Sequence, residues 1–155
     1  MKKIALLLSL SIFLASCAAP NSYIMPNPAQ TGGTTLTGSV TRSSVFSWME
    51  TDVLSIDNQP ISFSFFDDNS ANEIIPVFPN QSHVITIHTT FVRGFGLGPY
   101  DSIGQITTSF QPGHHYRVLG AVNGASVKMM ILDQTTNQVS AFGSAPYQLA
   151  PRSSE

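Results

Sequence analysis

The chain has 155 residues, a formal net charge of −2 and only 10% charged residues, against about 25% in an average globular protein. The balance is mildly acidic, with no basic block such as nucleic-acid or anionic-lipid binding usually requires. Its single cysteine, Cys17, excludes an internal disulfide framework, so any domain must hold together by its core.

The N-terminus is the most specific segment. Lys2 and Lys3 give a positive start, Ile4 to Phe13 run apolar with only small Ser and Ala between, and Leu14-Ala15-Ser16-Cys17 closes the run. Charge, apolar stretch and small residues before a cut are the layout of a secretory signal. Ile4 to Ala15 is about a dozen residues, whereas a membrane-crossing helix needs roughly 20. With Cys directly after the small residues, the segment resembles the lipobox of bacterial lipoproteins. The resemblance implies that residues 1–16 are a cleaved signal peptide. It also implies that Cys17 receives a diacylglyceryl thioether and that its new amine is acylated. Each buried methylene contributes about 0.8 kcal/mol, and two or more chains make a stable anchor. Similarity to enterobacterial sorting, with Ala18 rather than Asp after the cysteine, implies delivery to the outer membrane, facing the periplasm. Cleavage would remove two of the seven basic residues and none of the nine acidic ones.

Ala18 to Thr35 shows no hydrophobic periodicity. Pro20, Pro26, Pro28, Gly32 and Gly33 deny both helix and central strand there, so residues 17–35 read as the lipidated Cys and a flexible linker. Such a tether would lift a domain roughly 20–25 Å from the bilayer. From Leu36 the pattern turns to β. Val45 to Ile56 is rich in apolar and β-branched residues and is followed by an Asp57-Asn58-Gln59-Pro60 turn. Ile61, Phe63 and Phe65 alternate with serines and share one face. Asp67 to Asn72 is a polar loop, and Glu73 to Phe78 a short extended piece ending at Pro79. Val84 to Val92 predicts a long strand with Ile85, Ile87 and Phe91 on one side and Thr86, His88 and Thr90 on the other. Ile103 to Phe110, Tyr116 to Val122, Val127 to Leu132 and Gln138 to Phe142 complete the strands.

Turn signals recur every ten residues or so. Gln111-Pro112-Gly113 suits a type II turn and Asn123-Gly124 a type I′ hairpin, and Asp133 to Asn137 closes the series. No apolar stripe of period 3.6 exceeds one turn after Cys17. Ser, Thr, Asn and Gln stand where charges usually do, which suits exposed strands better than exposed helices. The reading is all-β: a single antiparallel β-sandwich, Ig-like or transthyretin-like, of about seven to eight strands over residues 36–142, with 143–155 as a C-terminal tail. A transmembrane barrel does not fit, because faces carrying Thr86, His88 and Thr90 make no lipid-facing band.

In Phe110 to Val118 a tight turn feeds a strand that starts with Tyr116, whose hydroxyl can bond back to the turn while its ring packs, as in a tyrosine corner. With Ile131-Leu132-Asp133, the Thr136-Asn137 turn and the Pro79 to Ile85 stretch, this resembles small sandwich domains of bacterial lipoproteins. What that implies is fold and address, not an activity.

The candidate chemistry is sparse. His83 and His88 lie five apart, so they face opposite sides of a strand, and the neighbours His114 and His115 also diverge; no HExxH spacing is present, and no metal is expected. Asp68, Ser70 and Asn72 alternate like calcium ligands, with Asp67 and Glu73 beside them. An EF-hand would need Gly at its sixth position and Glu where Pro79 stands. The glycine-rich loop from Arg93 to Tyr100 lacks the following helix of a phosphate site. It either presents Phe95, Leu97 and Tyr100 to a ligand or partner, or tucks them onto the core. Trp48, with Phe46 on the same strand face, reads as a core residue rather than a sugar platform. G-x-S-x-G is absent, and no catalytic residue or cofactor is predicted. The functional expectation is a non-enzymatic, membrane-anchored interaction or structural module of the cell envelope. Its partners would be the membrane, through the lipid, and another envelope protein, with no nucleic acid. The alternatives are a binding module for a small ligand, glycan or peptide, using the 93–104 loop or a sheet edge, and a cell-wall hydrolase.

Overall fold

The computed structural model describes residues 21–62, 70–94 and 97–151. The signal peptide, Cys17, Phe63, Phe65, Asp67, Asp68 and Phe95 lie outside the described residues.

The first described element falls in the segment read as linker. Asn27 caps a single helical turn, α1 (Pro28–Thr31): its Oδ1 accepts the Ala29 N–H at 3.0 Å, and Gln30 Oε1 accepts the Asn27 N–H at 3.1 Å. Proline at the first position and Gly32 at φ +60° set the start and stop. Thr31 and Thr34 are fully buried. The Thr34 hydroxyl donates to the Gln111 carbonyl at 3.1 Å and accepts the Gly113 N–H at 2.8 Å. Tyr23 donates its N–H to the Pro60 carbonyl at 2.8 Å and its hydroxyl to the Pro76 carbonyl at 3.1 Å. The flexible-linker expectation is therefore corrected for residues 21–35. Their prolines and glycines build a packed, capped turn instead of a free chain.

Strands follow as β1 (Thr35–Thr37), β2 (Ser39–Ser44), β3 (Ser47–Ile56), β4 (Gln59–Pro60), β5 (Ile75–Pro76), β6 (Ser82–Arg93), β7 (Tyr100–Ser109), β8 (His115–Asn123), β9 (Ser126–Asp133) and β10 (Gln138–Leu149). A 3-10 turn, Ser70–Asn72, precedes β5. The all-β class stands, with more strands than expected, two of them only two residues long. All ten belong to one curled sheet in the order β2-β3-β6-β7-β10-β9-β8-β1-β5, with β4 beside β3. Residues 138–146 of β10 pair with β9, while Tyr147 to Leu149 pair with β7. The sheet thereby turns its corner along one strand. The pairs are antiparallel except β1 with β8, which run parallel. That pairing makes the sheet mixed, where a wholly antiparallel one was expected. The residues from Gly143 to Leu149, expected as tail, extend β10.

Alternation fills the core. On β6, His83, Ile85, Ile87, Thr89 and Phe91 are buried, while Thr86, His88 and Thr90 face outward half-exposed, as the pattern predicts. Leu36, Ile56, Ile75, Val118, Val127, Met129 and Ile131 complete much of the interior. Each such side chain stabilises by about 1.5–3 kcal/mol on burial. Gly120 of β8 lies so close to β3 that an added Cβ would stand 2.7 Å from Thr51 Oγ1. The two ends of the curl meet there.

Turn chemistry explains the connections. Asp57 and Asn58 both have positive φ, 52° and 62°, the requirement of a type I′ turn between β3 and β4. Asn123 pairs with Ser126, so Gly124 and Ala125 form the β8–β9 loop, with Gly124 at φ +60° in the first position. This corrects the type I′ reading of Asn123-Gly124 to the pattern of a type II′ turn. Gly113, at φ +74°, holds the third position of its turn, and the His114 N–H donates to the Gln111 carbonyl at 3.3 Å. The Tyr116 hydroxyl accepts the Gln111 N–H at 2.9 Å, and its ring is buried against Phe110. The corner expected at Tyr116 is present.

Candidate functional site

Three connections meet at the end of the molecule remote from Tyr23: Val45–Phe46 between β2 and β3, the β6–β7 connection at Gly94 and Leu97, and Gly124–Ala125 between β8 and β9. The Gly94 N–H donates to the Phe46 carbonyl at 2.9 Å, and the Tyr147 hydroxyl donates to the Gly124 carbonyl at 3.2 Å. The first bond ties two of the turns together, and the second ties the third to β10. Val45 is 89% exposed, Phe46 49% and Leu97 54%. With these large apolar side chains exposed at the turns, this end carries an apolar surface patch.

Of the residues expected to act together, Leu97 is presented at the tip and Tyr100 is not. Tyr100 is half-buried, stacked on Phe91 at 5.3 Å and edge-on to Tyr147 at 5.4 Å. The Arg93 guanidinium covers this aromatic group, 5.1 Å from the Tyr147 ring and 5.6 Å from Phe91. Tyr100 is thus a packing residue beneath the loop, and Phe95 lies outside the described residues.

The core reading of Trp48 is corrected. Trp48 pairs with Arg42 on β2 and with Val92 on β6, on the outer face. There it lines a groove with Val40, Arg42, Val45, Glu50 and Asn72. The cause is a missed hairpin: β2 and β3 are separate strands joined at Val45–Phe46. The Phe46 N–H donates to Ser44 Oγ at 3.3 Å, so the Ser43-Ser44 pair is the turn signal that an apolar run concealed. Burial pushes the Glu50 carboxyl up, Asp52 adds to the rise, and His88 partly offsets it.

Beside the groove, the Thr90 hydroxyl donates to Asp101 Oδ1 at 2.9 Å, and His88 Nε2 lies 3.3 Å from both Asp101 Oδ1 and Thr90 Oγ1. A nucleophile relay needs the hydroxyl on one ring nitrogen and the orienting carboxylate on the other. Here both partners share Nε2 and the hydroxyl is bound to the carboxylate, so the trio is a surface hydrogen-bond cluster.

The other histidines are likewise engaged. Buried His83 sets Nδ1 2.7 Å from Asp57 Oδ2 and Nε2 2.8 Å from the Phe78 carbonyl. His114 Nδ1 lies 2.7 Å from Asp133 Oδ2, and His115 Nδ1 lies 2.9 Å from Thr35 Oγ1. Burial would raise the Asp133 carboxyl, but hydrogen bonds from His114, Thr136 and Thr135 outweigh it and hold the group below its ordinary range. Among the described residues no cluster of three His, Cys, Asp or Glu side chains is placed to hold a metal ion.

Compared with known proteins, the chain matches no family model, no curated protein and no solved structure.

Proposed function

We propose that this protein is a lipid-anchored module of the bacterial cell envelope, attached through Cys17 to the periplasmic face of the outer membrane, that binds another envelope protein through its apolar turn tips. The observation that carries the reading is the separation of the two ends. Tyr23, the near end of the proposed tether, is bonded to Pro60 and Pro76, whereas Val45, Phe46 and Leu97 stand at the far end of β3 and β6. Ten residues of strand span roughly 33 Å. Anchoring one end leaves the other free to meet a partner, and the tips present apolar area with backbone already fixed by hydrogen bonds.

In this reading the curled sheet works as a two-layer sandwich, supported by the close approach of Gly120 to Thr51 across the interior. The interaction role is non-enzymatic. A second reading, a ligand groove along Trp48 and Glu50, is favoured by the half-exposed indole.

A photo-crosslinking residue at Leu97 or Phe46 in intact cells should capture a discrete protein, and the same residue at Thr107 should not. Equal, diffuse labelling from all three positions contradicts the tip assignment. Recovery of the protein with inner membranes on a density gradient contradicts the location.

A further inference from the structure

We propose that the outer face of β8, β9 and β10 is a docking surface for an anionic phospholipid bilayer. The proposal deepens the anchored reading, from which it takes the membrane as neighbour. Strand register places Leu119, Met130 and Phe142 opposite one another across the three strands, and Leu132 and Val139 form a second pair beside them. Alternation turns this whole row outward, because Val118, Met129 and Ile131 on the same strands are buried. Phe142 is 71% exposed and Val139 53%. A row of this kind on a solvent-facing sheet is an unpartnered apolar surface.

Its charge identifies the occupant. The ionisable side chains of this face are Arg117, Lys128 and His115, with no outward carboxylate among them; Asp133 on β9 is buried and bonded to His114. Arg117 and Lys128 are exposed, and among the described residues neither is paired with a carboxylate; the Lys128 ammonium sits 5.3 Å from the Phe142 ring centre. The opposite outer face carries Glu50, Asp52 and Asp101 with Arg42 and His88, so carboxylates are found there and not on the β8–β10 face. Apolar side chains flanked by cations are the chemistry of interfacial binding to anionic headgroups. Each basic residue near such a surface strengthens association by roughly fivefold. Two cations and one apolar row give weak docking alone, and a short tether makes it effective through a local concentration on the order of millimolar.

Docking by this face leaves the turn tips and the acidic face open to the periplasm. Lys128 is the one lysine outside the signal segment, so its acetylation by a water-soluble ester reads the face in the natural chain without substitution. The full chain is mixed with vesicles of phosphatidylcholine alone or of equimolar phosphatidylcholine and phosphatidylglycerol. Acetylation of Lys128 should slow at least threefold on the anionic vesicles, and Trp48 on the opposite face should stay equally open to acrylamide quenching on both. Arg117→Glu with Phe142→Ser should restore the fast rate. Equal acetylation rates on the two vesicle types overturn the proposal. So does protection that needs no vesicles and grows with protein concentration, which would assign the face to a second copy of the chain. Flotation with phosphatidylcholine vesicles in the same samples reports the lipid anchor separately, and the acetylation contrast is read whether or not that anchor is present.

Discussion

Gly113 and Tyr116 stabilise the same corner by different means, and their substitutions should separate. Gly113 sits at φ +74°, where a β-branched side chain is strained. The strain is roughly 1–2 kcal/mol, more for such a residue than for a plain one. Tyr116→Phe keeps the ring against Phe110 and loses the bond from the Gln111 N–H, about 0.5–1.5 kcal/mol. In urea melts Gly113→Val should therefore cost more stability than Tyr116→Phe, and a neutral Gly113→Val would contradict the turn assignment. Asp133 adds a pH dependence. Its folded carboxyl lies below the ordinary 3.8, so its contribution is complete above about pH 4 and is lost as pH falls further. Asp133→Asn should cost about 1–3 kcal/mol at neutral pH and flatten the stability curve below pH 4. An acid limb as steep as the natural chain's would count against it.

Among elements, the N-terminal segment is where sequence and structure part most. Its prolines and glycines match a linker in composition, yet Asn27, Pro28, Gln30 and Gly32 together form a capped turn, and Tyr23 bridges β4 and β5. The contacts that order it are long-range, to Gln111 and Pro76, and no local pattern reveals them. The opposite holds for β6, whose strict alternation makes strand, face and core legible at once. The outward position of Trp48 is hidden in the sequence because Val45 and Phe46 continue an apolar run through a turn. The tip surface they form with Leu97 was legible only in its second half, the glycine-rich loop. Burial first, then the Asp57 carboxylate, push the Tyr23 phenol up to about 12. Its stabilising effect is full below pH 10 and lost as pH rises from there to about 12. Removing residues 21–34 from a domain that otherwise begins at residue 21 should lower the urea midpoint. An unchanged midpoint would return the segment to the role of a free tether.

At the scale of the molecule, these elements make a body with distinct ends and faces. The packed N-terminal segment lies at one end and the apolar tips at the other; cations line one outer face and carboxylates the other. With Ser22 and Tyr23 bonded to the domain, an anchor at Cys17 would hold the body closer to its membrane than the roughly 20 Å expected of a free linker. The anchored reading turns on the chemistry of one side chain. The intact mass of the protein purified from membranes decides it. The account predicts a chain that begins at Cys17 and carries a diacylglyceryl group and an amide-linked acyl chain, all lost in Cys17→Ser. A free Cys17 thiol, or a chain still joined to residues 1–16, would contradict it.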